Sequence, residues 1–432
     1  MPRRVWPVRT TRKGINRMNL SGPGPPGGVI VDVAVLGVGA AGEVTARLLG
    51  SFPQVGDIRI VDLRLERLQH VRDRMPRDVE ALRANLSRTE DVQKACGGAD
   101  VVVNTSLPGH NLRIMREAVR QKAHYIDLAS EGSPDPKEPS KVHMQLAMDG
   151  EFRRVDRIAV LGMGVAPGLT NLLARHGSQS MRDIDAIRIR VYGSGYAEVD
   201  DHPLAPLFSA ETFLEEVLWP APVWKGDRIQ KLPPFSGEEE FRFPDPLGTG
   251  ICYNVNNEEC ETMPKFINPR IRFIDFKYAI APRRKTLLEN LHRLGLTGTA
   301  PVRVKGARVA PLDVLLSLLP DPSSLAGRAR GHTCAVVEMI GRDDGGESGR
   351  RLWTIMDHDD AYRKMNVHAT AFLTGAPAAA VVDALLKGEV TRRGVTTGGG
   401  LDATPILRRA AKLGVPLFEG ELGAARGRAL AV

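Results

Sequence analysis

A glycine triad placed directly after an apolar strand is the feature that most narrows what this chain can fold into. Residues Val29 to Val35 read V-I-V-D-V-A-V, an almost unbroken β-branched run. Such runs suit parallel strands buried on both faces. Gly37-Val-Gly39-Ala40-Ala41-Gly42 follows at once, and a helical pattern continues over Glu43 to Leu49. A second strand, Ile58 to Asp62, ends in an acid twenty residues after Gly42. Strand, glycine turn, helix and distal acid together form a dinucleotide-binding fingerprint. Gly37 allows the tight turn, Gly39 lets backbone approach a pyrophosphate, and Gly42 lets helix and strand pack closely. The amides around Ala40 and Ala41, at the positive end of the helix dipole, are then the phosphate donors. Asp62 suits the ribose hydroxyls of NAD and repels a 2′-phosphate, while Arg64 and Arg67 keep NADP open.

Strands alternate with helices through the next hundred residues. Ala99 to Asn104, His124 to Leu128 and Arg157 to Gly162 read as buried strands, and Asn111 to Lys122 as a helix. This pattern predicts a doubly wound α/β domain of Rossmann type with a parallel sheet over 30–168. Past Gly168 the texture changes. Ile184 to Tyr192 alternates apolar with polar residues, the mark of a strand with one wet face. Strand-like pieces near 240–243, 271–278, 332–340 and 350–356 extend the pattern, with a hairpin turn at Asp343-Asp-Gly-Gly346. An α+β substrate domain with a mixed or antiparallel sheet is expected over 169–356, followed by a C-terminal segment, 357–432. A helix from about His368 to Leu386 is expected to break near Gly375 and Pro377.

Composition and charge exclude several function classes. Of 432 residues, 42% are hydrophobic and 25% charged, which rules out disordered and fibrous chains. No apolar run approaches the roughly 18 residues of a membrane span, so no membrane partner is expected. Six of the eight net positive charges sit in residues 1–29, as Arg3, Arg4, Arg9, Arg12, Lys13 and Arg17 without a single acid. The tail ends in Ser21-Gly-Pro-Gly-Pro-Pro-Gly-Gly28 and reads as a flexible basic segment, with a transit peptide as the alternative. The body is close to neutral, and no nucleic-acid role is expected of it. Cys96, Cys252, Cys260 and Cys334 form no CxxC or CxxH pattern, which points to free core thiols in a reducing cytoplasm. Asp357-His-Asp-Asp360 and Asp200-Asp-His202 read as solvated turns, since neighbours on an extended chain point to opposite faces and do not converge on a metal.

Three loops at predicted strand ends carry candidate chemistry. Asn104 and Thr105 follow the 100–103 strand and are candidates for the nicotinamide side of a cofactor site. Asp127, at the next strand end, is placed either to handle an amine or its proton or to order its loop. Gly162-Met-Gly-Val-Ala-Pro-Gly-Leu-Thr-Asn171 turns from strand to helix and sets backbone amides at a crevice.

Taken together these strings resemble the saccharopine dehydrogenase-like family of NAD(P)-dependent amino-acid oxidoreductases. The matching pieces are Val33–Gly42, Ala99–Asn104, His124–Ala129 and Gly164–Asn171. Leu214-Glu-Glu216, Phe241–Pro244, Tyr253 with Glu261–Pro264, and Thr374–Pro377 extend the likeness in the same order. The resemblance implies a Rossmann domain, a central substrate domain, and a C-terminal segment that returns to the first. It also implies redox chemistry at a C–N bond of an amino acid. Ala166 before Pro167-Gly168 is closer to lysine 6-dehydrogenases than to saccharopine reductases, although Ile274–Tyr278 stands where the former tend to carry Arg-Tyr-Pro-Gly-His. Within that frame Tyr125 or Asp127 is expected to manage the amine proton. Asn171, Arg190, Tyr253 and Thr262 are expected to anchor substrate. A homo-oligomer acting on a small amino acid is the leading expectation. The alternatives are an NADPH-dependent imine reductase of polyamine or opine type and a non-catalytic NAD-binding regulator.

Overall fold

A computed structural model describes residues 30–193, 195–197, 199 and 202–432. The basic tail and Asp200-Asp201 lie outside the described residues. Strands β1 (Val31–Leu36), β2 (Val55–Asp62), β3 (Glu80–Arg83), β4 (Val101–Asn104), β5 (His124–Asp127) and β6 (Ile158–Leu161) pair in parallel. A seventh parallel strand, Gly394–Thr397, adds to β6, giving the spatial order Gly394–Thr397, β6, β5, β4, β1, β2, β3. The chain moves outward from β1 to β3 and then returns to lay β4 on the other side of β1. The crevice between β1 and β4 is therefore the topological switch point, where ligands of open α/β sheets bind. The β-branched run makes sense in this setting. Val31, Val33 and Val35 enter the core on one face of the sheet, and Ala34 and Leu36 the core on the other.

Helix α1 (Ala40–Leu49) packs against the 18-residue helix Ala369–Leu386. That helix has the length and apolarity of a membrane span, with a mean hydropathy of 1.6. It is nonetheless almost wholly buried inside the protein. The break expected at Gly375 and Pro377 does not occur. A side chain on Gly375 would meet the Ala41 carbonyl oxygen at 2.5 Å and Val44 at 2.8 Å, and the Thr45 hydroxyl donates to the Gly375 carbonyl at 3.0 Å. Burial and this clasp carry the helix through its proline, outweighing the lost backbone bond.

The second sheet has ten strands among the described residues. Its centre is Asp183–Tyr192, flanked in parallel by Phe273–Ala279 and antiparallel by His332–Asp343, which turns at Asp343–Gly346 into Gly346–Asp357. Two hairpins join it, Ala221–Lys225 with Arg228–Leu232, and Glu239–Arg242, expected near 240–243, with Thr249–Asn254; Phe418–Gly420 and Arg428–Ala429 make up the ten. Alternation in Asp183–Tyr192 is real, and its polar face is wet at Asp183, Asp185 and Arg188 but closed over at Arg190. Arg190, fully buried, makes a bidentate pair with Asp275 at 2.8 Å through both terminal nitrogens, and its Nε donates to Glu239. Lys277 adds a bond to Glu239 at 2.9 Å. The expected anchoring role of Arg190 is thus corrected: the hairpin strand carrying Glu239 covers this face, and the guanidinium is committed to two carboxylates. All four cysteines are buried and unpaired.

Removing one member of such a buried pair leaves the other charge uncompensated, at a cost of about 3–5 kcal/mol. Asp275→Ala should therefore lower the free energy of urea unfolding by about that amount. Asp62→Ala, which removes the acceptor of the Val38 and Arg64 amides at a half-buried strand end, should change it by less, about 1–2 kcal/mol.

Candidate active site

The glycine loop is built by close approach. Gly37 has φ +87°, and a Cβ there would stand 2.7 Å from Ser106 backbone atoms in the loop after β4. A Cβ on Gly42 would sit 2.1 Å from the Gly37 carbonyl oxygen and 2.5 Å from the Thr105 hydroxyl. Gly39 is different, because nothing lies within 4 Å of the place its side chain would occupy. The N-terminus of α1 has no side-chain cap. An open glycine at an uncapped helix start is the cradle a pyrophosphate needs, so the residues present fit a dinucleotide.

Arg67 shapes that cradle from behind. It is buried, and it donates to the carbonyls of Val38 at 2.6 Å and Gly39 at 3.1 Å and to Glu43 at 2.6 Å. These bonds correct the expectation that Arg67 could meet a 2′-phosphate. Asp62 takes the Val38 and Arg64 amides on its two carboxylate oxygens, at 3.1 and 2.9 Å, and stays at the rim of the crevice where ribose hydroxyls would reach it.

Two candidates for direct cofactor contact turn inward. The Asn104 amide donates to Asn111 at 2.8 Å and to the Tyr125 hydroxyl at 3.2 Å, and its oxygen takes the Ser106 amide and hydroxyl. Thr105 bonds the Leu36 and Gly37 carbonyls. Both side chains set the β4 loop against the glycine turn. Tyr125 is fully buried beneath them, and its phenol is pushed well up by burial and by Asp127. Asp127 accepts the Gly162 amide at 2.6 Å and the Gln145 amide at 2.7 Å. Burial raises its acid to about 7. In this geometry Tyr125 and Asp127 are buried and order the β5–β6 rim, the second of the two readings open for Asp127.

Chemistry concentrates one strand further along. A tight crevice, with about 190 Å³ of empty space and no room for a water molecule, lies at the carboxyl ends of β6 and Gly394–Thr397, lined by Gly162, Pro167, Asn171, Glu258, Thr262 and Thr397. Asn171 accepts the Gly168 amide at 2.9 Å through its oxygen, while its buried Nδ2 has no partner in the protein. The Thr397 hydroxyl, both polar atoms of the Asn257 amide and Glu259 Oε2 are also buried without a protein partner. Buried polar atoms are almost always paired, so orphans gathered on the segments around one cleft mark a place for a ligand or water.

Three carboxyl groups stand together here. Glu258 accepts the Ser130 amide at 2.7 Å, Glu259 the Thr170 hydroxyl at 2.8 Å, and Glu216 the Tyr278 hydroxyl at 2.6 Å. Burial, followed by their mutual repulsion, pushes Glu216 up to about 8 and Glu258 well above its ordinary range. Burial alone raises Glu259 to about 8. All three carboxyl groups are therefore shifted toward the protonated form.

The structure thus brings Asn171 and Thr262 to the cleft, with the Thr262 hydroxyl bonded to the Glu258 carbonyl at 3.0 Å. It does not bring Tyr253 there. That ring packs edge-on against Phe235 beneath the Lys285 ammonium, with its hydroxyl toward Glu238 and raised to about 12 by burial first and Glu238 second. Glu216, Asn257, Glu258, Glu259, Tyr278 and Thr397 were not anticipated as site residues. The polar string Asn254-Val-Asn-Asn-Glu-Glu259, buried along its length, was the available signal.

Comparison with known proteins follows this division. Residues 33–160 match the saccharopine dehydrogenase NADP binding domain, and residues 164–415 the saccharopine dehydrogenase C-terminal domain. A carboxynorspermidine synthase of Vibrio alginolyticus is 27% identical over 409 residues, covering 90% of this chain and 96% of the relative. A carboxyaminopropylagmatine dehydrogenase of Synechocystis is 24% identical over 395 residues, covering 90% and 97%. Saccharopine dehydrogenase (L-Glu forming) from Saccharomyces cerevisiae superposes with a TM-score of 0.66 at 14% identity, over 91% of this chain and 100% of that one. Homospermidine synthase from Legionella pneumophila, solved with NAD, gives 0.63 at 13%, over 92% and 94%.

The two glycines separate binding from folding. Gly39→Ala should leave the melting temperature of the free protein within about 2 °C while weakening NADH binding at least tenfold, about 1.4 kcal/mol. Gly42→Ala should lower the melting temperature itself, because its Cβ collides with backbone. Thermal melts with and without NADH check both.

Proposed function

This chain belongs to the saccharopine dehydrogenase family, and from that premise we propose that it reduces an imine joining an amine to an aldehyde-bearing amino acid. The product is a carboxylated polyamine, and NADH is the hydride donor. The observation that carries this reading is the crevice at the carboxyl end of the same sheet, where the buried Glu258 and Glu259 and the unpartnered Asn171 Nδ2 and Thr397 hydroxyl gather. The relatives supply the substrate class. Full-length matches to carboxynorspermidine synthase and carboxyaminopropylagmatine dehydrogenase favour polyamine chemistry, and the lysine 6-dehydrogenase expectation gives way to it.

Gly39 and the first turn of α1 would hold the pyrophosphate, and Asp62 the adenosine ribose. Asp62 and the inward commitment of Arg67 support NADH over NADPH. The bound cofactor supplies the hydride. The protein's work is to bind and orient the amine, exclude water and manage one proton. An ammonium group seated in the crevice meets Glu258 in its lining, with Glu259 and Glu216 behind it, and favours ionisation of the cluster. A neutral carboxyl in the same cluster can protonate the imine nitrogen, so that hydride addition at carbon leaves a secondary amine. Asn171 Nδ2 and the Thr397 hydroxyl remain as donors for the substrate carboxylate.

Loss of NADH absorbance should require both a diamine and an aldehyde-bearing α-amino acid, with a secondary amine as the product by mass spectrometry. Oxidation of lysine alone with NAD+ would contradict the reading. Glu216→Gln should raise KM for the amine about ten- to hundredfold, the weight of one charge-assisted hydrogen bond. In wild type that KM should fall as pH rises through about 8, when Glu216 and Glu259 ionise. Stability runs the other way. A buried carboxyl with a raised folded-state pKa contributes fully below about 4.5, and its contribution is lost as pH rises through about 8. The Gln variant without ligand should therefore melt higher than wild type above that pH.

A further inference from the structure

Arg64 follows the strand that ends in Asp62, at the adenosine end of the crevice, where it could meet a 2′-phosphate. Its guanidinium is already occupied. Arg64 Nη1 lies 2.5 Å from Asp321 Oδ2, a carboxylate 257 positions further along the chain, and its Nε is 3.8 Å from Asp62. Asp321 is the stronger partner, and the Asp321 bond is the largest influence holding the guanidinium charged.

Asp321 does not reach Arg64 by chance rotation. Its other oxygen, Oδ1, accepts the Ser323 amide at 2.9 Å and the Ser323 hydroxyl at 2.5 Å, capping the turn Pro322–Leu325. Leu325, fully buried with Ala205, Leu207 and Ala329, fixes that turn to the short two-stranded sheet of Tyr196–Ala197 and Ala205–Pro206. One carboxylate is therefore held by its own turn on one side and spans to the nucleotide domain on the other.

Charge accounting gives the consequence. Asp62 and Asp321 place two negative charges around one guanidinium, and Glu66 adds a further negative field. A ribose hydroxyl brings no charge and finds an acceptor in Asp62. A 2′-phosphate brings nearly two negative charges and must either displace Asp321 from Arg64 Nη1 or share the guanidinium with it at the cost of like-charge repulsion. We infer that Asp321 is a cofactor-selectivity residue, which reserves Arg64 and so excludes phosphorylated dinucleotides from across the domain boundary. This rests on the NADH reading above, and it goes beyond the glycine fingerprint and Asp62, which lie wholly in residues 33–160.

Fluorescence titration of the full chain with NADH and NADPH tests it. Asp321→Asn keeps an oxygen to cap the Ser323 turn, so the fold is retained. The variant should tighten NADPH binding about tenfold and leave NADH within about twofold. The double variant Asp321→Asn with Arg64→Ala should lose that gain, because the freed guanidinium is its source. The gain should also shrink with added salt, as a partly exposed charge pair requires. An unchanged NADPH-to-NADH ratio in Asp321→Asn, or a gain that survives Arg64→Ala, would overturn the assignment while leaving NADH binding intact. Wild type that already prefers NADPH would overturn it too. Wild type that binds neither dinucleotide would remove both this assignment and the reading beneath it.

Discussion

The helix Ala369–Leu386 is the contact on which the rest of this molecule depends. At its start, the Thr370 and Thr333 hydroxyls bond at 2.8 Å and tie it to the second sheet. In its middle, Gly375 lets it press on the first turns of α1. Beyond its end, the chain enters the first sheet as the strand Gly394–Thr397. One buried helix therefore ties the two sheets together through contacts with both. A side chain at 375 would push α1 away at the very turn that faces the phosphates.

The acid cluster is a conflict that the fold tolerates for function. Three buried carboxyl groups and several unpartnered polar atoms work against stability, since each lost its water on folding without full replacement. Proteins keep such arrangements where a ligand completes them. An amine brings what the cluster lacks: positive charge and N–H donors. The contrast with the Arg190–Asp275–Glu239–Lys277 network is instructive. That group is also buried and charged, but it is balanced within the protein and has nothing left to offer a substrate.

Much of the nucleotide half was legible in the sequence because its constraints are local. Gly37, Gly39, Gly42 and Asp62 are fixed by backbone geometry within a single β–α–β unit, and buried parallel strands announce themselves as apolar runs. The substrate half was less legible because its site is assembled from distant pieces. Glu216, Glu258 and Glu259 meet only when the Ala210–Leu218 helix, the Glu259–Phe266 helix and the Phe273–Ala279 strand pack together. The same distance misled the reading of Arg190 and Tyr253. Alternation put Arg190 on the polar face of its strand and resemblance alone brought in Tyr253, and neither could show that a hairpin covers Arg190 or that Lys285 and Phe235 enclose Tyr253. The seventh strand, Gly394–Thr397, escaped notice because four residues with two threonines carry little pattern of their own.

The central claim is that the cleft's acids are neutral until an amine arrives. Proton exchange on binding measures this directly. A diamine titrated calorimetrically into the NADH-loaded protein near pH 7.5, in buffers of different ionisation enthalpy, reports the protons released per amine bound. The account predicts net release into the buffer, because the incoming ammonium draws Glu216 and Glu259 below their resting values near 8. Binding with no proton exchange, or with proton uptake, would contradict it.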